Sequence, residues 1–220
     1  MADRRTLTKL IGDGAIEPII VVGIGSPAKR RGDEYIPYFD PIFTAPEPHG
    51  KLFPEFLATE VLPLINREFR TVNDPDHTAI GGSSYGSVAA LYAIIHRPDL
   101  FRLGLLESTS LQVGNGQLLR DTASLAVGPR RVSVGVGTNE LGENLQFARD
   151  HGMEPDAFNS GFVQLSEQLG TNLKAAAFNH PAIVFVKQSG AKHEEQAWAQ
   201  RFPTAIQFLF PKQNPTQPGQ

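Results

Sequence analysis

The stretch with the clearest capacity for chemistry runs from residue 77 to 98 and reads H-T-A-I-G-G-S-S-Y-G-S-V-A-A-L-Y-A-I-I-H-R-P. A short apolar run leads into Gly82-x-Ser84-x-Gly86, and a longer apolar segment follows. This pattern is typical of a nucleophile elbow, in which a strand enters a tight turn, a serine stands at its tip and a helix leaves. The turn predicts glycine at both flanking positions. The serine hydroxyl is expected to be exposed above the positive end of the helix.

A carboxylate and a histidine also follow predicted strands. Glu140 comes after the strand predicted at Arg131–Gly137, and His193 comes after the strand predicted at Ala182–Val186. Since the carboxyl ends of parallel strands meet at one edge of a sheet, these side chains can converge on Ser84. The order serine, acid, histidine along the chain is that of the α/β-hydrolases and differs from the orders in chymotrypsin and subtilisin.

These three residue types have complementary roles in acyl transfer. The Ser84 hydroxyl becomes a good nucleophile only when an imidazole takes its proton, which His193 can do near neutral pH before it protonates the leaving alcohol. Glu140 would fix the tautomer of that imidazole and stabilise the imidazolium. The backbone N–H of Tyr85 is placed to meet the developing oxyanion.

Simpler interpretations exist for each residue. Ser84 could instead cap the helix that follows it, and His193 could be an ordinary histidine at a helix start. Glu143 competes with Glu140 for the role of the acid, and Glu107 also follows a strand, where we expect a structural use. The other histidines are expected in turns, in loops or at the ends of elements: His49, His77, His96, His151 and His180.

Hydrophobic periodicity predicts strands that alternate with helices. The other predicted strands are Pro18–Ile24, Thr78–Ile80 and Arg102–Leu106. The predicted helices, besides the one after Ser84, are Arg5–Ile11, Leu52–Phe69 with a kink at Pro63, Gln117–Leu125, Asn144–His151, Phe162–Ala177 and Glu194–Phe210. This alternation predicts an α/β fold with a mostly parallel sheet and helices on both faces.

The chain is expected to form one domain over residues 1–210, followed by a disordered tail at 211–220 that is rich in Pro, Gln and Asn. The segment Gly25–Gly50 is predicted to be a loop because it contains several prolines. There are 20 basic and 23 acidic residues, so the net charge of −3 gives no reason to expect a nucleic acid or an anionic membrane as partner.

The chain has no cysteine, which excludes disulfides, thiolate catalysis and cysteine-ligated zinc. No spacing of His and Asp indicates a metal site, and no cofactor is implied. No apolar run approaches the length of a membrane span, and no signal peptide is readable at the N-terminus. These features predict a cytoplasmic protein.

Several stretches together resemble the putative esterase family, which includes enterochelin esterases, feruloyl esterases and relatives of S-formylglutathione hydrolase. The resemblance covers nearly the whole chain and implies an α/β-hydrolase fold and serine ester hydrolysis, with Ser84, Glu140 and His193 at the motif positions. The stretches are I-E-P-I-I-V-V-G-I at 16–24, R-R-G-D-E-Y-I-P at 30–37, D-P-D-H-T-A-I-G-G-S-S-Y-G-S at 74–87, R-P-D-L-F at 97–101, V-G-V-G-T-N-E at 134–140 and G-A-K-H-E-E-Q-A-W-A-Q-R-F-P at 190–203.

The resemblance also implies a departure from the family at the N-terminus. Relatives carry further strands there, and the turn after one of them usually supplies the second oxyanion donor. We expect this chain to begin after that region, so that its α/β-hydrolase sheet is N-terminally shortened. The strand that relatives place between Pro18–Ile24 and Thr78–Ser83 would then be absent.

Unpaired backbone groups are costly when they are buried, so the empty position has to be filled. We expect Pro18–Ile24 to pair directly with the strand that precedes Ser84, although another chain could fill the position instead. A backbone N–H at Ile24 or Gly25 would then become the second oxyanion donor beside Tyr85. The outer edge of the moved strand would be exposed, which predicts a homodimer.

The sequence therefore predicts a serine carboxylesterase that hydrolyses short-chain carboxylic esters through an acyl-enzyme on Ser84. Thioester hydrolysis or acyl transfer stays open, because the same residues serve those reactions. The alternative from another class is a non-catalytic relic or interaction protein with the esterase fold, which the missing strand favours. The substrate would be a small-molecule ester whose identity the sequence does not specify.

Overall fold

Four parallel strands form the sheet, and their order across it follows their order along the chain. The computed structural model describes residues 4–26, 28–176 and 181–212. The register places Ser83 beside Glu107 and Glu107 beside Gly135, so the carboxyl ends of the strands form one edge. The strands are β1 (Ala79–Ser83), β2 (Leu103–Glu107), β3 (Arg131–Gly137) and β4 (Ala182–Gln188).

Helices connect the strands and cover both faces of the sheet. The α-helices are α1 (Arg4–Gly12), α2 (Arg31–Tyr35), α3 (Phe53–Phe56), α4 (Leu62–Glu68), α5 (Tyr85–His96), α6 (Gln117–Asp121), α7 (Leu145–Asp150), α8 (Pro155–Lys174) and α9 (Glu195–Leu209). Short 3-10 turns lie at Ala28–Arg30, Gly50–Leu52, Pro75–His77, Gly114–Gly116 and Thr122–Ser124, and a π turn lies at Leu57–Val61.

Two apolar cores lie on opposite faces of the sheet. The larger core contains Leu106 and packs the sheet against α5, α6 and α8. The smaller core joins Ile16 to Phe202 of α9, with Leu105 and α1 packed against it. Because side chains alternate along a strand, Glu107 points to the same face as Leu105, towards α9.

The α/β fold with a parallel sheet is confirmed, and β3 has the predicted bounds. The helix predicted over Leu52–Phe69 is interrupted by the π turn at Leu57–Val61. Pro63 lies just after it, in the first turn of α4. The helix predicted from Phe162 begins earlier, at Pro155, because a proline is favourable in the first turn and the cost of Gly161 in the helix is only about 1 kcal/mol. The loop predicted at Gly25–Gly50 contains α2. Ala177, His180 and the tail beyond residue 212 lie outside the described residues.

The strand predicted at Pro18–Ile24 is wrong. These residues form neither strand nor helix, and Ile20, Val21 and Val22 are 48%, 54% and 42% exposed. Within the described residues, β1 has a neighbouring strand on one side only, and the expected pairing of 19–23 with 79–82 is absent. An apolar, β-branched sequence is compatible with a strand, but the ladder also needs a partner in register.

Residues 17–26 instead connect the two faces of the sheet. Ile16 forms an isolated bridge with Pro211 beside the smaller core. Ile24 packs against the larger core, and its carbonyl accepts a hydrogen bond from the Tyr35 hydroxyl at 3.2 Å. The predicted homodimer depended on an exposed strand at Pro18–Ile24. Because these residues form no strand, the homodimer stays a prediction without this support.

A buried ion pair links β2 to α9. The Arg201 Nε and Nη2 atoms both lie 2.7 Å from Oε2 of Glu107, and Nη1 donates to the Gln188 side chain at 2.7 Å. Both charged side chains are almost fully buried. Burial raises the pKa of Glu107 to about 7; Arg201 opposes this shift and Glu140 adds to it. Helix α9 is therefore joined to the carboxyl end of β2 by charge as well as by apolar packing.

Breaking this pair should be costly. Above about pH 7, where Glu107 is charged, we expect Glu107→Gln to lower the free energy of unfolding by about 3–5 kcal/mol, because it leaves a buried guanidinium without its counter-charge. Arg201→Met should cost less, since Glu107 can take up a proton whereas a guanidinium cannot lose one. Urea denaturation of both variants and of the double variant measures these costs. Equal losses for the single variants, with no recovery in the double variant, would contradict a paired buried charge.

The pair also predicts how stability depends on pH. Between about pH 4.5 and 7 the folded protein holds a proton on Glu107 that the unfolded chain has lost. The tighter binding of this proton in the folded protein contributes to the free energy of unfolding. The contribution is greatest below pH 4.5 and is lost as the pH rises through 7. In Arg201→Met the loss should extend to higher pH, because the cation that opposes the rise in pKa is gone.

Candidate active site

Ser84 has the backbone conformation of a strained turn between a strand and a helix. Its φ of 58° and ψ of −126° place it in the left-handed region, at an expected cost of about 1–3 kcal/mol. Its N–H donates to the Glu107 carbonyl at 3.0 Å, and its carbonyl accepts from the Ser87 and Val88 N–H groups of α5. Its side chain makes no capping hydrogen bond. The hydroxyl is therefore not used to cap the helix, which removes the simpler interpretation of this serine.

The turn needs glycine at one flanking position. A Cβ on Gly82 would lie 2.4 Å from the carbonyl carbon of Gly86, which is backbone and cannot move aside. A Cβ on Gly86 would meet only Nη2 of Arg31, at an ordinary 3.6 Å. The expectation that space forbids a side chain at both positions is therefore correct for Gly82 and wrong for Gly86.

Glu140 and His193 form a close pair. Nδ1 of His193 lies 2.7 Å from Oε2 of Glu140. The other carboxylate oxygen accepts from the Ser108 hydroxyl at 2.7 Å and from the Gly137 N–H at 2.5 Å. The Glu140 side chain is fully buried and the His193 side chain is 25% exposed. With Nδ1 bonded to the carboxylate, Nε2 is the imidazole nitrogen that can exchange a proton with a substrate or a nucleophile.

Glu143, the competing acid, lies elsewhere. Its side chain is 90% exposed and pairs with Lys192 at 2.7 Å. This pair lowers the pKa of Glu143 and raises that of Lys192. The structure therefore brings Glu140 to His193 and leaves Glu143 on the surface.

The relation between His193 and Ser84 differs from that between His193 and Glu140. Both residues follow strands at the same edge of the sheet, but no hydrogen bond joins their side chains within the described part of the chain. Hydrogen bonds of this kind are often long before substrate binds. The general-base role of His193 towards Ser84 therefore stays a prediction.

Aromatic side chains hold the His193 ring on two sides. Trp198 meets it edge to face, with ring centroids 5.2 Å apart, and Phe162 does so at 5.7 Å. An open groove of about 280 Å³ runs past the imidazole and is lined by polar residues that include Glu143, Lys192 and Glu194. A polar group attached to a substrate can be accommodated there.

Other contacts anchor the residue after the serine. The Tyr85 ring packs against Phe43 at 6.0 Å, and Phe43 stacks on Phe147 at 6.3 Å. Burial, followed by the charge of Asp40, raises the pKa of Tyr85 to about 12. The Tyr85 phenol therefore stays protonated near neutral pH and is not an acid–base group there.

The three predicted oxyanion donors lie in two parts of the structure. The backbone N–H of Tyr85 belongs to the first residue of α5, directly after Ser84. Ile24 and Gly25 lie beside α2, and no hydrogen bond of their N–H groups occurs among the described residues. These donors are thus not committed elsewhere, and their roles stay predictions.

Sequence reasoning named neither Ser108 nor Arg31 as a site residue, and it gave no role in the site to Trp198 of the predicted helix Glu194–Phe210. Ser108 could have been found because it directly follows the end of β2, as Ser84 follows β1. Arg31 donates from Nη2 to the Ser83 carbonyl at 3.1 Å, and no local signal indicates that contact.

Comparison with known proteins shows the family. A profile of the putative esterase family matches residues 2–209. The uncharacterized protein YbbA of Bacillus subtilis (strain 168) is 23% identical over 201 residues, which cover 89% of this chain and 76% of that protein. The iron(III) enterobactin esterase of Dickeya dadantii (strain 3937) is 42% identical over 62 residues, 28% of this chain and 14% of that protein.

Solved structures show the same fold. The enterobactin esterase FES from Shigella flexneri has a TM-score of 0.64 at 19% identity over 92% of this chain and 47% of its own. BES protein from Bacillus cereus has a TM-score of 0.68 at 18% identity, over 93% and 74% of the two chains. Siderophore hydrolase EstB from Aspergillus nidulans has a TM-score of 0.67 at 17% identity, over 95% and 79%. This chain thus spans about half the length of the Shigella esterase.

Neither a membrane-spanning helix nor a metal-binding cluster occurs in residues 4–26, 28–176 and 181–212. None of the helices there is both long and apolar enough to cross a bilayer. No group of His, Asp and Glu side chains in those ranges is arranged to hold a metal ion.

The close approach in the turn gives a matched pair of variants. We expect Gly82→Ala to lower the free energy of unfolding by about 1–3 kcal/mol and to displace Ser84, because the new methyl group meets backbone. Gly86→Ala should be neutral or up to about 1 kcal/mol more stable, because alanine favours the helix. Thermal unfolding and the rate of Ser84 labelling by a fluorophosphonate measure both effects. Equal losses for the two variants would contradict the geometry of the turn.

Proposed function

Because the chain belongs to the putative esterase family, we propose that it is a serine carboxylesterase that hydrolyses short-chain carboxylic esters through an acyl-enzyme on Ser84. The observation that carries this proposal is the 2.7 Å contact between Glu140 and His193. The carboxylate of Glu140 holds the His193 ring in one orientation and leaves its Nε2 atom free of that contact. A buried carboxylate in this position stabilises an imidazole that becomes positively charged and then neutral again during a reaction.

In the proposed reaction, Nε2 of His193 takes the proton of the Ser84 hydroxyl while Oγ forms a bond to the ester carbonyl carbon. The carbonyl π electrons move to oxygen, and the N–H of Tyr85 meets the resulting oxyanion. The tetrahedral intermediate collapses, the bond to the alcohol oxygen breaks, and His193 returns the proton to that oxygen. Water then attacks the acyl-enzyme with His193 again as base, which releases the acid and restores Ser84.

The imidazolium in both steps is stabilised by Glu140, whose charge acts at short range because its side chain is fully buried. Turnover is expected to rise with pH through the range in which histidine loses its proton, since only neutral imidazole accepts the proton of Ser84. A backbone N–H of Ile24 or Gly25 is the proposed second oxyanion donor.

A second candidate is an ester that carries an aromatic group. The row formed by Tyr85, Phe43 and Phe147 begins at the residue next to Ser84 and offers ring faces and edges for stacking. The Shigella flexneri relative is an enterobactin esterase and the Aspergillus nidulans relative a siderophore hydrolase. A higher kcat/KM for aromatic than for acetyl and butyryl esters would favour this candidate, and Phe43→Ala should reduce that preference.

Ser84→Ala tests the proposed function directly. Turnover of p-nitrophenyl acetate and butyrate should fall by at least about a thousandfold with the fold intact, because the triad residues act as a unit. Ser83→Ala is the matched control, since this neighbouring serine lies outside the motif centre and should retain activity. An organophosphate should label Ser84 in the unmodified chain. Full activity in Ser84→Ala, or no hydrolysis of any ester by the unmodified chain, would favour the non-catalytic alternative.

The two candidate acids give a second test. We expect Glu140→Gln to lower kcat by about 10³–10⁴-fold, because the amide stabilises the imidazolium poorly and favours the wrong tautomer. Glu143→Gln removes only an exposed pair with Lys192 and should change kcat by less than about twofold. Steady-state kinetics of both variants provides the measurement. A larger loss for Glu143→Gln would move the role of the acid to that residue.

A further inference from the structure

We propose that Ser108 and Trp198 are positioning residues for the acid Glu140, and that together they set how strongly Glu140 holds a proton on His193. This inference rests on the proposed function, in which His193 gains and loses a proton. It concerns a serine that follows β2 and the only tryptophan of the chain, neither of which the reaction steps above require.

Ser108 lies between the acid and α9. It is fully buried, and its φ of 44° is in the left-handed region, so its side chain is held in an unusual direction. Its hydroxyl lies 2.7 Å from Oε1 of Glu140. It also lies 2.9 Å from Nε1 of Trp198 and 3.4 Å from Nη2 of Arg201.

The chemistry of these neighbours fixes the direction of the hydrogen bonds. The indole N–H and the guanidinium can only donate, so they occupy the lone pairs of the Ser108 oxygen. The single hydroxyl proton is then left to point at Glu140. A serine hydroxyl that could otherwise rotate is thus held as a donor to the carboxylate, and an oxygen that receives two N–H groups is a stronger donor in return.

This donation acts on His193 through Glu140. A hydrogen bond to one carboxylate oxygen draws negative charge away from the other, which faces Nδ1 of His193. Without it, Glu140 would hold the imidazolium more strongly and His193 would stay protonated to higher pH. A general base that stays protonated cannot accept the proton of Ser84, so the donor favours the neutral form of His193 that can act as base.

The charged groups around the pair are few and are known. Arg201 lies against Glu107, whose pKa is raised to about 7, and Lys192 pairs with Glu143. Because Glu107 also changes charge near neutral pH, a His193→Gln variant identifies which part of the titration belongs to His193. Glu194 lines the open groove beside His193. Removing the Ser108 hydroxyl leaves all of these charges in place, so a change in the titration of His193 in that variant would report the lost hydrogen bond.

Tryptophan fluorescence measures this titration without any turnover. Trp198 is the only tryptophan and meets the His193 ring at 5.2 Å, and a protonated imidazole at that distance quenches indole emission. Emission of the full chain should therefore rise as His193 loses its proton. In Ser108→Ala the midpoint should move to higher pH by about 1 unit, the size expected for a lost hydrogen bond to a charged group.

Ser87→Ala is the matched control. It also removes a fully buried serine hydroxyl, which bonds to Thr109 at 2.6 Å and not to Glu140. Its midpoint should equal that of the unmodified chain. A midpoint in Ser108→Ala that equals the unmodified one, or emission of the unmodified chain that does not titrate in the histidine range, would overturn the proposal.

Trp198→Phe gives a second measurement if Ser108→Ala does not fold. Phenylalanine keeps a ring beside His193 but removes the N–H that orients the Ser108 hydroxyl. The rising limb of the pH profile of kcat/KM should move to higher pH by about half a unit, and KM should change little. An unshifted limb in an active variant would contradict the role of the indole. If no ester is hydrolysed, the proposed function fails while the fluorescence titration still decides the present inference.

Discussion

The buried charge pair between Glu107 and Arg201 is the interaction on which the arrangement of the site depends. Ion pairs in the interior contribute little net stability, because desolvation offsets their attraction. They do constrain geometry, since each remaining donor must find an acceptor. Arg201 uses its other N–H groups on Gln188 and Ser108, and so fixes the ends of β4 and β2 relative to α9. The loop that carries His193 runs between β4 and α9 and is held at both of its ends.

Tyr85 connects the edge of the sheet that carries Ser84 to the surrounding loops. Its backbone belongs to the turn at Ser84, while its ring contacts Phe43 and, through it, Phe147. Asp40 adds a polar connection, because its carboxylate accepts the N–H of Gly114 at 2.9 Å. The loops that would face a substrate are thus fixed to one another by side chains rather than by backbone pairing.

The sequence predicts well what local constraints determine. Ser84 is marked by a turn in which Gly82 has no space for a Cβ, and β3 by valines at every second position, with the predicted bounds correct. Glu140 and His193 could be selected because parallel strands end at one edge. The contacts of Trp198 and Arg201 depend on how a helix docks on the sheet, and no short pattern encodes that.

The wrong strand prediction at Pro18–Ile24 also shows that a short segment does not encode its contacts with distant parts of the chain. Its apolar, β-branched composition predicted a buried strand, yet Ile20, Val21 and Val22 are exposed. A strand is a property of two segments in register, whereas a helix such as α5 satisfies its own backbone. Patterns within one segment therefore predict helices more securely than they predict strand neighbours.

Arg31 has a consequence for the open edge of β1. Because the Ser84 N–H points to β2, the groups of Ser83 point the other way, to the side on which β1 has no neighbouring strand among the described residues. Arg31 occupies the last carbonyl on that edge. Charged side chains at sheet edges act as gatekeepers against unwanted pairing between molecules. A strand that docked on β1 would therefore have to stop short of Ser84, so the cation that contacts the end of β1 also limits how far β-pairing could extend towards the candidate site.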